Sequence, residues 1–239
     1  MSVDPERYRH WFRENSEGSI LLAAATVVLL RDRPAGPEVL MMRRNSTIAF
    51  GGMWVFPGGR LDDDDYPTSD PDDVFSASLT AAVREAKEEA DLDLDPASLV
   101  RFSHWTPPPV TPKRYATWFF IAGAPAAKVT IDDGEITDHA WLTPHRALEL
   151  HAAVEIELAP PTFVTLHHLA EFATVAELLE HASANEARRY RTVLSKGDGF
   201  RALLWEGDVA YGTGDLGANG PRHRVEMSVD GWKLLVDHP

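Results

Sequence analysis

Glu85, Glu88 and Glu89 stand at i, i+3 and i+4 in the run Arg84-Glu85-Ala86-Lys87-Glu88-Glu89-Ala90-Asp91-Leu92. An α-helix there gathers three carboxylates on one face, within about one turn. Like charges at this spacing repel by about 0.2–0.5 kcal/mol per pair. A divalent cation turns that repulsion into binding, and hard oxygen donors at this density suit Mg2+ or Mn2+ holding a phosphate. Taken alone, the same run also reads as a solvated helix face made of good helix formers. The segment ahead of it, Val55-Phe56-Pro57-Gly58-Gly59, supplies a glycine turn in which backbone can come close to a ligand, with one glycine carbonyl expected to face a metal.

The elements that must position these groups follow from periodicity. Ala23 to Leu30 and Val39 to Arg44, separated by the turn-rich Asp32 to Pro37, read as two paired strands in a central sheet position. Gly51 to Phe56 reads as a further short strand. The acidic helix is expected to start with Asp70 as N-cap and Pro71 in its first position and to run to Ala90. Val74, Phe75, Leu79, Ala82, Val83, Ala86 and Ala90 are its expected core stripe, with the acidic triad largely off it. Strands are expected at Leu99 to His104 and Tyr115 to Ile121, then Glu135 ahead of a strand bearing Trp141 and a helix begun by Pro144. Helices are expected from Pro160 and, capped by Thr174, to Ala182. The C-terminal part from Arg188 turns to strands at 200–204, 223–227 and 232–236. Residues 1–17 suggest a short amphipathic helix.

Composition bounds the function. With 44% hydrophobic and 25% charged residues in 239, the chain has the make-up of a globular protein with a substantial core. It contains no cysteine, which removes disulfides, thiolate metal sites and cysteine nucleophiles. A formal charge of −14 argues against nucleic acid or an anionic membrane as partner. The lack of cysteine makes a cytoplasmic location the expectation, and the apolar run Ile20 to Leu30, too short to span a bilayer and preceded by Glu14 and Glu17, is expected to be a buried strand. His167 and His168 diverge on a helix and do not make a zinc pair. Gly212-Thr213-Gly214-Asp215-Leu216-Gly217 matches a dinucleotide fingerprint in letters only, because Ala218 to Pro221 cannot continue a helix.

The glycine turn and the acidic helix together resemble the Nudix hydrolase signature, G-x5-E-x7-R-E-U-x-E-E-x-G-U with U apolar. Gly59 opens it, and Arg84 to Glu89 supplies its densest half. Two departures stand out. Twenty-four residues separate Gly59 from Arg84 where the pattern has thirteen, so the signature's first acidic position falls on Asp65 counted forward or on Ser76 counted back. Asp91 replaces a glycine whose place at the helix end calls for left-handed backbone, which Asp tolerates at a cost of about 1 kcal/mol. Val39 to Asn45, Val55 to Asp62, Ala159 to Thr162, Gly207 to Tyr211 and His223-Arg224 are similar to the peroxisomal coenzyme A diphosphatase branch of that superfamily.

The resemblance implies an α+β fold, the Nudix α/β/α sandwich with a mixed β-sheet. The expected divisions are a segment 1–18, a Nudix domain 19–185 and a β-rich C-terminal extension 186–239. It implies Mg2+ or Mn2+ held by Glu85, Glu88, Glu89 and Gly58, and a catalytic set of Glu89, Glu85, Arg84 and Glu135. Arg84 would orient a triad carboxylate. The base is open between a triad carboxylate and Glu135. The substrate implied is a small molecule with a nucleoside diphosphate linkage, coenzyme A or acyl-CoA by branch, with Arg43, Arg44, Lys113 and Arg114 as the pool that reads an extra phosphate. A nucleotide-pool or ADP-ribose pyrophosphatase and a non-catalytic ligand sensor are the alternatives, and a homodimer is compatible with each.

Overall fold

The computed structural model describes residues 20–45, 51–111, 113–132 and 134–237, so the expected helix in residues 1–17 lies outside the described residues. The chain divides by contacts into two units. The larger comprises residues 22–104 and 117–188, and the smaller includes Trp105–Ala116 and the chain from Arg189.

In the larger unit the two apolar runs form β1 (Leu21–Arg33) and β2 (Gly36–Arg44), joined by a tight turn and paired antiparallel from Leu30↔Val39 to Arg33↔Gly36. Val27 to Leu30 and Val39 to Met42 are all buried on both faces, as continuous apolarity requires of central strands. β3 (Trp54–Val55) adds to β2, and β4 (Gly58–Arg60) adds to β1 through Ala24↔Arg60 and Thr26↔Gly58. After helix α1 (Val74–Ala90) come β5 (Val100–Thr106), β6 (Arg114–Gly123) and β7 (Ile136–Leu142). The sheet order is β3-β2-β1-β6-β5, and β7 pairs with β2 from Val39↔Leu142 to Arg44↔Ile136. Helices α2 (Pro144–Ala152), α3 (Pro160–Leu169) and α4 (Val175–Ala184) follow, α2 and α4 capped by Thr143 and Thr174.

Alternation along the strands sorts the core. Ala25, Val27 and Leu29 of β1, Leu40 and Met42 of β2, and Phe120 and Ala122 of β6 share one cluster with Ala77, Ala81, Ala82, Ala86 and Ala90 of α1. Five alanines on the buried face let α1 lie close to β4. Two expectations are corrected here. The helix starts at Val74 rather than Pro71, because Asp73 takes the cap, its carboxylate accepting from both the N–H and the hydroxyl of Ser76. Val74 consequently lies outside the stripe, 43% exposed. The far end is as expected: Asp91 has φ 54° and ψ 37°, its N–H donates to Lys87 O, and the Leu92 N–H donates to Ala86 O, which seats Leu92 in the core.

The smaller unit has an antiparallel sheet of order β12-β11-β10-β9, formed by β9 (Val193–Lys196), β10 (Phe200–Leu204), β11 (His223–Ser228) and β12 (Gly231–Val236). β8 (Arg188–Arg191) precedes them. Trp105 stacks on Tyr190 with centroids 3.8 Å apart, and Trp205 meets both edge-on. Residues 212–217 are turn and loop, as the rejected fingerprint requires. Inside this unit Asp208 and Arg224 form a bidentate pair, 2.7 Å on each arm, with both side chains almost wholly buried.

Candidate active site

The acidic face of α1 meets the glycine turn directly. A Cβ on Gly59 would collide with the Glu85 carboxylate, and one on Gly58 with the backbone of Ala25 and Thr26 in β1. Glycine at both places is therefore what allows α1, β4 and β1 to close on one another. Glu89 is only 3% exposed, and its Oε2 accepts a 3.0 Å hydrogen bond from the Gly58 N–H. Its Oε1 is buried without a hydrogen-bond donor, facing the Arg44 Nη1 at 3.6 Å.

Arg84 organises the rest. Its Nε and Nη2 grip the two oxygens of Asp65 at 3.0 and 2.9 Å, Nη2 also donates to Arg60 O, and Nη1 reaches Glu85 at 2.8 Å and Glu88 at 2.9 Å. One guanidinium thus ties the turn after β4 to two of the three helical carboxylates, and these partners hold its charge firmly on. Asp65 is itself buried and also accepts from the Asp62 N–H. Ser76, the other sequence position open for the first acidic group, serves the helix cap instead. Of the two positions, Asp65 is the one that reaches Arg84.

Burial pushes the Glu89 carboxyl up to about 8, the Gly58 N–H and Arg44 holding it down and Glu85 and Glu135 adding to the rise. Burial also raises Glu85, against the pull of Arg84. Glu135, at the turn before β7, is exposed and binds Arg44 Nη2 at 2.8 Å. Arg44 ends β2 on the carboxylate side, in phase with core residues Leu40 and Met42, whereas Arg43 is exposed. Lys113 and Arg114 belong to the smaller unit, where Arg114 donates to Pro107 O. His168 is buried against Arg188 and His167 packs edge-on to Phe163.

Among the described residues no three of His, Cys, Asp or Glu converge on a point that would hold an ion as they stand. Glu85 and Glu88 each lend one oxygen to Arg84, while Glu89 turns Oε2 to Gly58. The donor set nevertheless suits a hard divalent cation: three carboxylates within about one turn of helix, one with an orphaned buried oxygen, against a backbone stripped of side chains. What Gly58 presents to Glu89 is its N–H; the expected role of its carbonyl remains a proposal.

Residues 21–162, more than half the chain, match the family model for the NUDIX domain, and the chain belongs to the Nudix family. It is 35% identical over 122 residues to the acyl-coenzyme A diphosphatase NUDT19 of Xenopus laevis, a stretch that is 48% of this chain and 32% of that protein. The chain therefore matches about a third of that relative's length. Among solved structures, a Nudix hydrolase from Alicyclobacillus acidocaldarius has a TM-score of 0.60 at 23% identity, covering 71% of this chain and all of its own, a likeness of fold alone. Family membership and the similarity to a diphosphatase both support the reading of a hydrolase. No helix among the described residues is long and apolar enough to cross a membrane.

The grip of Arg84 on Asp65 gives a first prediction. Asp65→Ala removes both arms of a charge-assisted pair and frees the link to Glu85 and Glu88. Unfolding in urea should show a loss of about 2–3 kcal/mol, with turnover reduced as the carboxylates lose their frame. A loss below about 0.5 kcal/mol, the scale of an exposed pair, would show that Asp65 anchors nothing.

Proposed function

We propose that the chain hydrolyses the diphosphate linkage of a nucleoside diphosphate derivative with Mg2+ or Mn2+, and that coenzyme A or an acyl-CoA is the substrate. The observation that carries this reading is the closure of the Glu85, Glu88 and Glu89 face on Gly58-Gly59. The similarity to an acyl-coenzyme A diphosphatase supports the choice of substrate. Glu85, Glu88 and Glu89 would hold the ion, with Gly58 lining the same place. When bound, a divalent ion supplies positive charge against the diphosphate oxygens and makes an attacking water more acidic.

The chain's own groups do the remaining work. Arg84 fixes the directions of Glu85 and Glu88 and, being engaged on every side by Asp65, Arg60 and these two carboxylates, positions rather than touches substrate. Gly58 fixes Glu89 through its N–H. The proton from water goes to Glu89 or to Glu135. Arg43, Arg44, Lys113 and Arg114 are the pool from which a 3′-phosphate would be read, and of these Arg44 stands beside Glu89 and Glu135.

A product screen with Mg2+ on coenzyme A, its 3′-dephospho form, ADP-ribose, NADH and nucleoside triphosphates tests the reading. Coenzyme A should give adenosine 3′,5′-bisphosphate and 4′-phosphopantetheine faster than any other compound is cleaved, and Arg114→Ala should narrow the gap to the dephospho form. Preferred cleavage of ADP-ribose or triphosphates would replace the substrate while leaving the family intact. No cleavage of any of them would favour a ligand sensor. Glu135→Gln then separates the two candidate proton acceptors, a loss of at least about a hundredfold marking Glu135 as the base.

A further inference from the structure

Two carboxylates from separate parts of the chain, Glu89 of α1 and Glu135 before β7, meet the Arg44 guanidinium. Its backbone is clamped at the end of β2, the N–H donating to Met53 O and the carbonyl accepting from the Gly52 N–H. Glu135 is fixed in turn, since the Asn45 N–H donates to its carbonyl and its own N–H donates to Asp132. Between these fixed points Nη2 binds the Glu135 carboxylate at 2.8 Å and Nη1 faces Glu89 Oε1 at 3.6 Å, while Nε is buried without a partner. The side chain is 17% exposed.

Glu89 has one oxygen committed to the Gly58 N–H, so the oxygen left for any further cation is Oε1, the one that Arg44 faces. A guanidinium and a divalent ion cannot share that atom comfortably, because two cations drawn to one oxygen repel each other. We propose that Arg44 is a built-in counter-ion of Glu89 and Glu135 that competes with the divalent cation, so that metal binding drives the guanidinium off Glu89 and makes it available to the anionic substrate. This inference rests on the metal-dependent reading above. It couples two events that otherwise look independent: each metal loaded releases a donor fork suited to phosphate oxygens. Order of binding follows, with metal first.

The test measures Mn2+ affinity of the purified protein at pH 8 by electron paramagnetic resonance of the free ion, with no substrate present. Arg44→Gln should bind Mn2+ about tenfold more tightly than wild type, because a competing unit charge has gone. Arg44→Lys, which keeps the charge, should stay within about threefold of wild type and guards against a merely misfolded glutamine variant. In turnover, Arg44→Gln should raise KM for the diphosphate substrate while needing less Mn2+. Unchanged or weaker Mn2+ binding by Arg44→Gln, with wild type binding normally, overturns the competition and leaves the proposed function standing. Failure of wild type itself to bind Mn2+ overturns both.

Discussion

Glu89→Gln is expected to lower turnover by three or more orders of magnitude, the scale of losing a group that acts on the reacting centre, and to make the metal-free protein more stable at pH 8. Both follow from one placement. Glu89 is the carboxylate pressed against Gly58 inside the closure of α1 on β4, and a glutamine there keeps the carbonyl oxygen that accepts the Gly58 N–H. What it removes is an ionisable group in a dry place. The carboxyl titrates near 8 in the fold against 4.5 when free, burial being the main cause. Between those values the folded chain holds a proton that the unfolded chain has released, so wild-type stability falls as pH rises from about 5 to about 8. The variant should lack that part of the slope. Thermal melts with a chelator at pH 5, 6.5 and 8 read it directly; parallel curves for the two proteins would mean that Glu89 ionises freely and is not enclosed as described. Added Mg2+ should stabilise wild type more as pH rises, since a proton must leave first, and should stabilise the variant little.

The second large effect lies in the smaller unit and concerns folding alone. Asp208→Ala leaves the Arg224 guanidinium buried without its partner and also orphans the N–H groups of Ala210 and His223, which the same carboxylate accepts. Breaking a buried pair from one side costs about 3–5 kcal/mol. Loss of the ordered signal of Trp205, which sits on Tyr190 and Trp105 in this unit, should report it at low urea. The double change Asp208→Ala with Arg224→Met removes the stranded charge and should recover part of the loss, though not the part due to the two N–H groups. If the single variant melts within about 1 kcal/mol of wild type, the pair is not the keystone its burial suggests.

The acidic helix, the glycine turn and the paired apolar strands were readable because each is written in local code: a 3.6 period, residues that alone fit a close backbone, and runs of uninterrupted apolarity. Even the left-handed Asp91 could be expected from its place at the helix end. The misread start of α1 has an equally local cause, since Asp70-Pro71 and Asp73 both carry cap chemistry and only the hydroxyl of Ser76, reaching back to Asp73, decides between them. Contacts that join distant parts of the chain were another matter. In the sequence Glu89 is one glutamate among three, and its burial depends on Gly58, thirty-one residues earlier. The extra residues blurred the count to Asp65, whose grip on Arg84 shows only in the fold. Arg44 could be named as a cation for substrate, yet its hold on Glu135 spans ninety-one residues. The chain from Arg188 was expected to turn to strands, but β8 was not placed as one, because Arg188 to Arg191 buries only Tyr190 and carries no alternation to speak of.

The clasp of Arg84 on Asp65 also decides where this chain can be rewritten. Eighteen residues run between the two, their ends pinned by a two-armed ion pair, and the stretch 67–72 lies between Tyr66, which packs on the core, and Asp73, which caps α1. Such a segment behaves like a side chapel off a nave whose walls stand without it. Affinity tags, fluorophores or a whole foreign module spliced there should leave the carboxylate frame undisturbed, because lengthening a closed loop adds only about 0.6 kcal/mol per doubling, while the same cargo placed between Gly58 and Asp65 would prise the frame apart.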